Sequence, residues 1–310
     1  MGRPQGVPAV SEAGAWPRIT IVTPSLNQAA FIEDTIRSVL DQDYANLEYI
    51  IVDGGSLDGT AEIIKRYEHD LTYWVSERDR GQSHAINKGM ERATGEVCGW
   101  LCGDDVLTPG ALHTVGGFLR EHPHCRWLAG SGEFHVLSTG SVTLRTAGLA
   151  SPTALLEFWR HGESGHYLPQ PSTFWRRSLW DESCGLREDN HLAMDYELWL
   201  KFQERTELHV MDRILSVSKL HPDCKTMHHR REQVREMMRC AYVGAARRGI
   251  GQWRLTRGLL AWAWRRQLGK GRRQLRARCW PGAIRELKRL VREAVTVWHE
   301  EGRLDVFNLP

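Results

Sequence analysis

Two short segments place acidic side chains where chemistry is expected. In LEYIIVDGGSLDGT (47–60), Asp53 closes an apolar run and two glycines follow. An acid at such a strand end, beside backbone that a ligand can approach closely, suits hydrogen bonding to the N–H of a base or to a ribose hydroxyl. Its plainer role is to cap the amides of its own turn, with Asp58 or Thr60 capping the next helix. In VCGWLCGDD (97–105), Asp104 and Asp105 end another apolar run. Paired hard oxygen ligands suit Mg²⁺ or Mn²⁺ bridging a diphosphate; the alternative is a turn in which Asp105 caps a helix.

The elements that must hold these acids follow from periodicity. RITIVTP (18–24) is a β-branched run, and Phe31, Ile32, Ile36, Val39 and Leu40 then fall at helical spacing. A second strand over 47–55 precedes a helix over 60–67. A third strand, LTYWVSE, precedes a helix over 82–93, and 97–105 reads as the fourth strand. This βαβαβαβ order predicts an α/β fold with a mostly parallel, Rossmann-like sheet and helices on both faces. Ligands then bind beyond the carboxyl ends of the strands, where Thr23-Pro24-Ser25, Asp53 to Ser56, and Gly103-Asp104-Asp105 converge. From about residue 133 short strands and loops take over. A helix over 194–204, strand-like LHVMD and ILSVSKL, and a long helix over 227–247 complete the pattern.

Composition bounds the class. With 310 residues, 41% hydrophobic and 25% charged, the chain can bury a sizeable core and is neither a disordered nor a collagen-like sequence. No uncharged apolar run approaches the roughly 18 residues of a membrane span. The first 16 residues, rich in Pro and Gly, read as a disordered leader without a secretory core, so a cytoplasmic chain is expected. Seven cysteines without a C-x-x-C pair read as reduced thiols. Cys98 and Cys102 with His122, His124 and Cys125 make a poor metal set, because Cys98 lies in an apolar run where small buried cysteines are common.

PSLNQAAFIEDTIRSVLDQDYANLEYIIVDGGSLDGT, then DRGQSHAINKGMERATGE and LCGDD, resembles the nucleotide-sugar-binding half of the inverting family 2 glycosyltransferases, which have the GT-A fold. The ordered series spans residues 18 to about 120, and similarity continues through AMDYELWLK to KLHPDCKT near 226, about two-thirds of the chain. The resemblance implies a nucleotide-sugar half over 17–120, an acceptor and catalytic half of the same domain over 121–226, and a separate extension over 227–310.

Residue by residue, it implies that Pro24, Ser25 and Asn27 line the nucleotide pocket, that Asp53 contacts the base with Ser56 and Asp58 in its loop, and that Asp79, Arg80, Gly81, Ala85 and Asn87 belong to the donor segment. Asp104 and Asp105 fall in the D-x-D region, although Cys102 stands where the fuller pattern has an acid. His221 matches a histidine that completes the metal shell in some members, with Mg²⁺ or Mn²⁺ as cofactor. Asp195, in M-D-Y-E-L-W-L-K, matches the catalytic base, although Met194 replaces the usual acid before it. A carboxylate there takes the proton of an acceptor hydroxyl as it attacks the anomeric carbon; Glu197 is the lesser candidate. His166, Tyr167, Gln170 and Trp175 fall where the family builds its acceptor pocket, and Trp159 also offers a ring for stacking on a sugar.

The expected activity is transfer of a hexose from a nucleotide diphosphate sugar, UDP-linked by expectation, to a glycan or glycolipid hydroxyl. A catalytically weak scaffold and a nucleotidyltransferase are the alternatives. The second should show a basic, Gly-rich loop after the first strand, which PSLNQAAF lacks. Charge is uneven: residues 247–292 hold fifteen Lys/Arg against one acid, a net +14 in a chain of +3, leaving −11 elsewhere. Arginines interleaved with Trp253, Trp262, Trp264, Trp280 and Trp298 read as a helical extension adhering to the inner face of an anionic membrane, or packing on the catalytic domain or on another subunit. Nucleic acid is not expected, since no recognition fold accompanies the basic segment.

Overall fold

A computed structural model describes residues 16–161, 163, 165–225, 229–251, 253–259 and 261–262. The expected disordered leader, apart from residue 16, lies outside them, as does the basic run from 263 onward.

Strands β1 (Ile19–Ser25), β2 (Leu47–Asp53), β3 (Tyr73–Ser76) and β4 (Val97–Trp100) run parallel in the order β3-β2-β1-β4. Helices α1 (Ile32–Leu40), α2 (Thr60–Lys65) and α3 (Gln82–Arg92) connect them. Alternate strand residues feed two cores. Val22, Ile50, Val52 and Trp100 meet Ala85, Ile86 and Met90 of α3. Ile21, Tyr49 and Ile51 meet Ile32, Ile36 and Val39 of α1, together with Leu112, Val115 and Leu119 of α4 (Ala111–Glu121). Burial on both faces explains why these strands read as unbroken apolar runs. The acid among them, Glu48, is 2% exposed and accepts hydrogen bonds from Thr20, Thr94 and the Gly95 amide, which fixes the chain's entry into β4.

Beyond β4 the sheet departs from the parallel expectation. The segment 97–105 is not one strand: it breaks at 101–104, and Asp105 opens β5 (Asp105–Leu107). That strand pairs antiparallel with β11 (His209–Leu220), in which the two expected strands form one, with register shifts near Ile214. The nine-stranded sheet is therefore mixed, in the order β3-β2-β1-β4-β10-β6-β11-β5. Here β6 is Trp127–Val136, β10 is Thr173–Arg176, and β7 (Ser141–Arg145) hangs on β6 as a hairpin. β8 (Gly148–Leu149) and β9 (His166–Tyr167) pair separately. Strand order reverses at β1, so the crevice beyond the carboxyl ends of β1 and β4 is the switch point where ligands bind in such sheets.

The second half adds α5 (Arg177–Glu182), α6 (Met194–Gln203) and α7 (Arg230–Arg247). Trp100, Trp127, Trp175 and Trp199 are each at most 2% exposed and stack or meet edge-on at centroid separations of 5.3–6.0 Å. Met237, Met238, Ala241, Tyr242 and Ala245 of α7 join this core.

The start of the extension also packs on the domain. Leu255 and Leu259 are 6% and 3% exposed, and the Tyr242 and Thr256 hydroxyls lie 2.6 Å apart. Trp253, by contrast, is exposed. Truncation after Gly249 is therefore expected to destabilise the fold, since each buried Leu contributes about 1.5–3 kcal/mol. Truncation after Trp262 leaves these contacts in place. Urea titrations of both truncated chains check this, and equal midpoints would show that the segment packs without stabilising.

Candidate functional site

The loops after β1 and β2 are laced together. The Asn27 amide donates to Ser56 Oγ (2.7 Å), the Gln28 amide to Thr60 Oγ1 (2.8 Å), the Ala29 amide to Asp58 Oδ2 (2.9 Å), and the Leu57 amide to Asn27 Oδ1 (3.0 Å). Asn27 holds a left-handed φ of 52° to do so. Asn27, Ser56 and Asp58 thus join the two loops.

Asp53 takes the plainer of its two readings. It is wholly buried, and its carboxylate accepts from the Gly55 and Ser56 amides (3.1 and 2.9 Å) and from the hydroxyls of Ser56 and Ser76 (2.5 and 2.6 Å). With four local donors and no exposed surface, it holds the loop.

Asp79 is better disposed toward a ligand. Its Oδ1 accepts from the Gly81 amide (2.7 Å), and its Oδ2 lies against Gly54, where a Cβ would come within 2.8 Å. The missing side chain at Gly54 is what admits this carboxylate to the base of the crevice. Arg80 is paired with Glu188 (Nε to Oε2, 2.7 Å). Asn87 exchanges two hydrogen bonds with the Leu186 backbone (2.9 and 3.1 Å) and so clamps that neighbouring loop. Pro24 and Ser25 are buried at the end of β1, and Ser25 Oγ has no partner among the described residues.

The acid pair divides. Asp104 sits in the turn after β4, and Asp105, 9% exposed, is opposite Ser218 in the β5–β11 ladder. Thr35 Oγ1 donates to the carbonyls of Gly103 and Asp105 (3.0 and 2.7 Å), pinning the turn to α1. Burial and the neighbouring Asp104 charge push the Asp105 carboxyl well up, against the Ser218 hydroxyl and Lys219.

His221, the residue after β11, is 6% exposed, stacks on Phe31 (4.4 Å between centroids), and places Nε2 3.1 Å from Asp104 Oδ2. Its Nδ1 is buried without a partner among the described residues. Asp104, His221 and Cys224 form one group whose ligand atoms gather within 4.8 Å, and Cys102, Asp104 and Asp105 form another. Of the two cations expected, Mn²⁺ accepts the imidazole more readily than Mg²⁺, whereas the Cys224 thiol, pushed up to about 11 by burial, is a softer donor than either favours.

Cys102, standing where an acid was expected, is bracketed by Gln82 Nε2 (3.1 Å) and Gln170 Oε1 (3.6 Å). Its thiol is pushed well up by burial and by the charges of Asp105, Asp104 and Asp195, against Lys225. Asp195, on α6, is near enough for its charge to act on that thiol. It is the second residue of that helix and accepts from the Tyr196 amide (2.7 Å); burial pushes its carboxyl above the ordinary aspartate range, against that hydrogen bond. Glu197 instead bonds Asn190 Nδ2 (2.8 Å) and lies 3.8 Å from Lys201 Nζ, a structural ion pair. Met194 is packed in the core.

Of the acceptor residues, Tyr167 is half-buried, and Asp195 and Asp105 act on its hydroxyl. His166 is buried 3.1 Å from Glu157. Gln170 is half-buried and donates to the Trp100 carbonyl (2.8 Å) at the end of β4. The fourth residue is corrected by the structure. Trp175 is 0% exposed, enclosed by Trp100, Trp180, Trp199 and Phe202, and has no face to offer a sugar.

Sequence reasoning missed Lys225 and Cys224, although both lie within four residues of His221. Lys225 Nζ reaches Gln82 Oε1 (3.0 Å); burial lowers its pKa, opposed by Cys102, Asp79, Glu236 and Asp104. The charges of both Asp79 and Asp104 thus act on it.

With this geometry in place, comparison with known proteins is direct. The model of glycosyl transferase family 2 matches residues 20–180, just over half the chain. TuaG of Bacillus subtilis, named as a teichuronic acid biosynthesis glycosyltransferase, is 41% identical over 108 residues, covering 34% of this chain and 43% of TuaG. The Campylobacter jejuni GalNAc(5)-diNAcBac-PP-undecaprenol beta-1,3-glucosyltransferase is 30% identical over 103 residues, covering 32% of this chain and 33% of that enzyme. The chain thus spans less than half the length of either relative. Among solved structures, Staphylococcus aureus TarS 1-349 in complex with UDP-GlcNAc aligns with a TM-score of 0.60 at 18% identity, over 79% of this chain and 71% of TarS 1-349. The mannosyltransferase PcManGT of Pyrobaculum calidifontis, solved with GDP-Man and Mn²⁺, aligns at 0.57 and 18% identity over 94% of this chain and 88% of its own. The structural likeness is one of fold, and the family match decides membership: this chain is a glycosyltransferase of family 2.

Proposed function

We propose that the protein transfers a hexose, with inversion, from a UDP-linked sugar to a hydroxyl of a lipid-linked or polysaccharide acceptor. The observation that carries this reading is the Asp104–His221 pair beyond the end of β4, together with a half-buried Asp195 at the start of α6 whose charge acts on Cys102, two residues before Asp104. Relatives named for teichuronic acid and undecaprenol-linked glycan synthesis support the acceptor class.

In this reading the nucleotide lies at the switch point, with Asp79 toward the base and Lys225 toward the diphosphate. Asp195 accepts the proton of the incoming hydroxyl as its oxygen bonds to the anomeric carbon, and the bond to the diphosphate oxygen breaks on the opposite face. Asp104, His221 and Asp105 would hold Mn²⁺, which when bound neutralises charge on the leaving diphosphate.

No helix among the described residues is long and apolar enough to cross a membrane. The expected contact with an anionic bilayer rests chiefly on basic residues outside the described region, and it stands as part of the proposal. The decisive test is release of UDP or GDP from a panel of nucleotide sugars, with and without Mn²⁺, in the presence of lipid-linked acceptors. Acceptor-dependent release from a UDP-sugar is expected. Release of sugar 1-phosphate instead, the leaving group when the nucleotidyl unit is the part transferred, would convert the reading to nucleotidyl transfer.

A further inference from the structure

Away from Asp104 and His221, residues 157–160 and 163 and the first part of the extension border a half-open hollow of about 380 Å³ lined by Glu157, Trp159, Arg160, Glu163, Gly258 and Trp262. We propose that this hollow binds one neutral pyranose unit of the acceptor glycan, at a distance from the hydroxyl that reacts. The volume lies within the roughly 300–1,000 Å³ of small-molecule sites.

Its walls suit a sugar and little else. Pyranose C–H faces are apolar and bury well against aromatic rings, and two half-buried tryptophans line the hollow. Gly258 is what lets one of them lie there: a Cβ at 258 would come within 2.8 Å of Trp159 Cζ2 and 3.0 Å of Cη2. The hydroxyl rim of a sugar needs donors and acceptors at fixed positions, and the polar wall supplies both. Arg160 bonds Glu157 (3.0 Å) on one side and Glu163 (2.9 Å) on the other, His166 Nε2 lies 3.1 Å from Glu157, and Trp262 Nε1 donates to Glu163 (3.2 Å). These groups are held before any ligand arrives, which reduces the ordering cost of binding. Two carboxylates against one guanidinium disfavour a phosphate, and because both carboxylates are already bonded to Arg160, a cation finds no unoccupied pair.

The hollow is tied to the reacting centre by two routes. Tyr196, the residue after Asp195, donates its hydroxyl to the Leu155 carbonyl in the turn leading to Glu157. His166, which braces Glu157, precedes Tyr167, on which the Asp195 charge acts. Its place in the reaction rests on the proposed glycosyl transfer; saccharide binding itself does not.

The test is calorimetric titration of the full chain with tetrasaccharides of glucose, N-acetylglucosamine, mannose and galactose. At least one is expected to bind with a Kd of about 1 mM or below. Trp262→Ala and Gly258→Val should each weaken it at least tenfold. If either fails to fold, Glu163→Gln, at a position 43% exposed, should still weaken it severalfold. No binding to wild type up to about 10 mM, or equal binding by folded variants, overturns the inference. UDP titrated into the same wild-type sample separates the two readings. UDP binding without saccharide binding sinks only the sugar hollow, and saccharide binding without UDP binding sinks only the proposed transfer.

Discussion

Asp195→Asn is expected to lower acceptor-dependent transfer about 10²–10⁴-fold, the usual cost of losing a general base, while UDP-sugar affinity changes no more than a few fold. The amide keeps the shape and can still accept from the Tyr196 amide, so a loss of rate reports the missing proton acceptor. Stability separates this role from capping. Burial raises the folded-state pKa of Asp195 above its ordinary value, so its contribution to stability is full at low pH and is lost as pH rises through that raised value. At neutral pH the ionised carboxyl therefore costs stability, and Asn should melt no lower than the native protein. In the native enzyme, kcat should fall as the pH drops through the same raised pKa, on an acid limb above the ordinary aspartate range. Paired melts and pH–rate profiles check this; near-normal turnover, or a marked drop in Tm, would move attention to Glu197.

Removing the divalent cation is expected to have an effect of similar size. Chelation should bring transfer below about 1% of the Mn²⁺-loaded rate, given that a metal contributes several kcal/mol of charge stabilisation. Asp104→Ala should weaken UDP binding only when Mn²⁺ is present, by about 10–100-fold, and His221→Ala should do the same. The imidazole in the donor set predicts that Mn²⁺ outperforms Mg²⁺. Full turnover in EDTA would show that a side chain does this work, and Lys225, 3.0 Å from Gln82 Oε1 at the edge of the crevice, would be the one to substitute next.

What the sequence discloses depends on whether neighbours in the chain decide the outcome. The β1 to β4 half is legible because each strand is apolar on both faces and each helix carries its own 3.6-residue stripe. The sheet's mixed half is not, because Asp105 belongs to a strand only through Ser218, more than a hundred residues away. Asp53 shows the same limit at a single residue: its strand-end position is readable, but the hydroxyl of Ser76 that completes its shell arrives from β3. Trp175 has the composition of a sugar platform, and only the tertiary stacking of three other tryptophans makes it core. Lys225 went unread because a lysine three residues past His-Pro carries no periodic signal, whereas its reach to Gln82 exists only in the folded chain.

The place of β11 in the sheet has a consequence for how the protein comes into being. β11 lies between β6 and β5, and it delivers His221 beside Asp104. The strands that form the nucleotide wall leave the ribosome first and can associate early, since domains tend to form from the N-terminus during synthesis. Yet β5 has no partner and Asp104 no histidine until some 220 residues have been made. A nascent chain can therefore assemble its nucleotide wall while its metal-ligand group stays incomplete, which delays catalytic competence until the second half has threaded into the sheet.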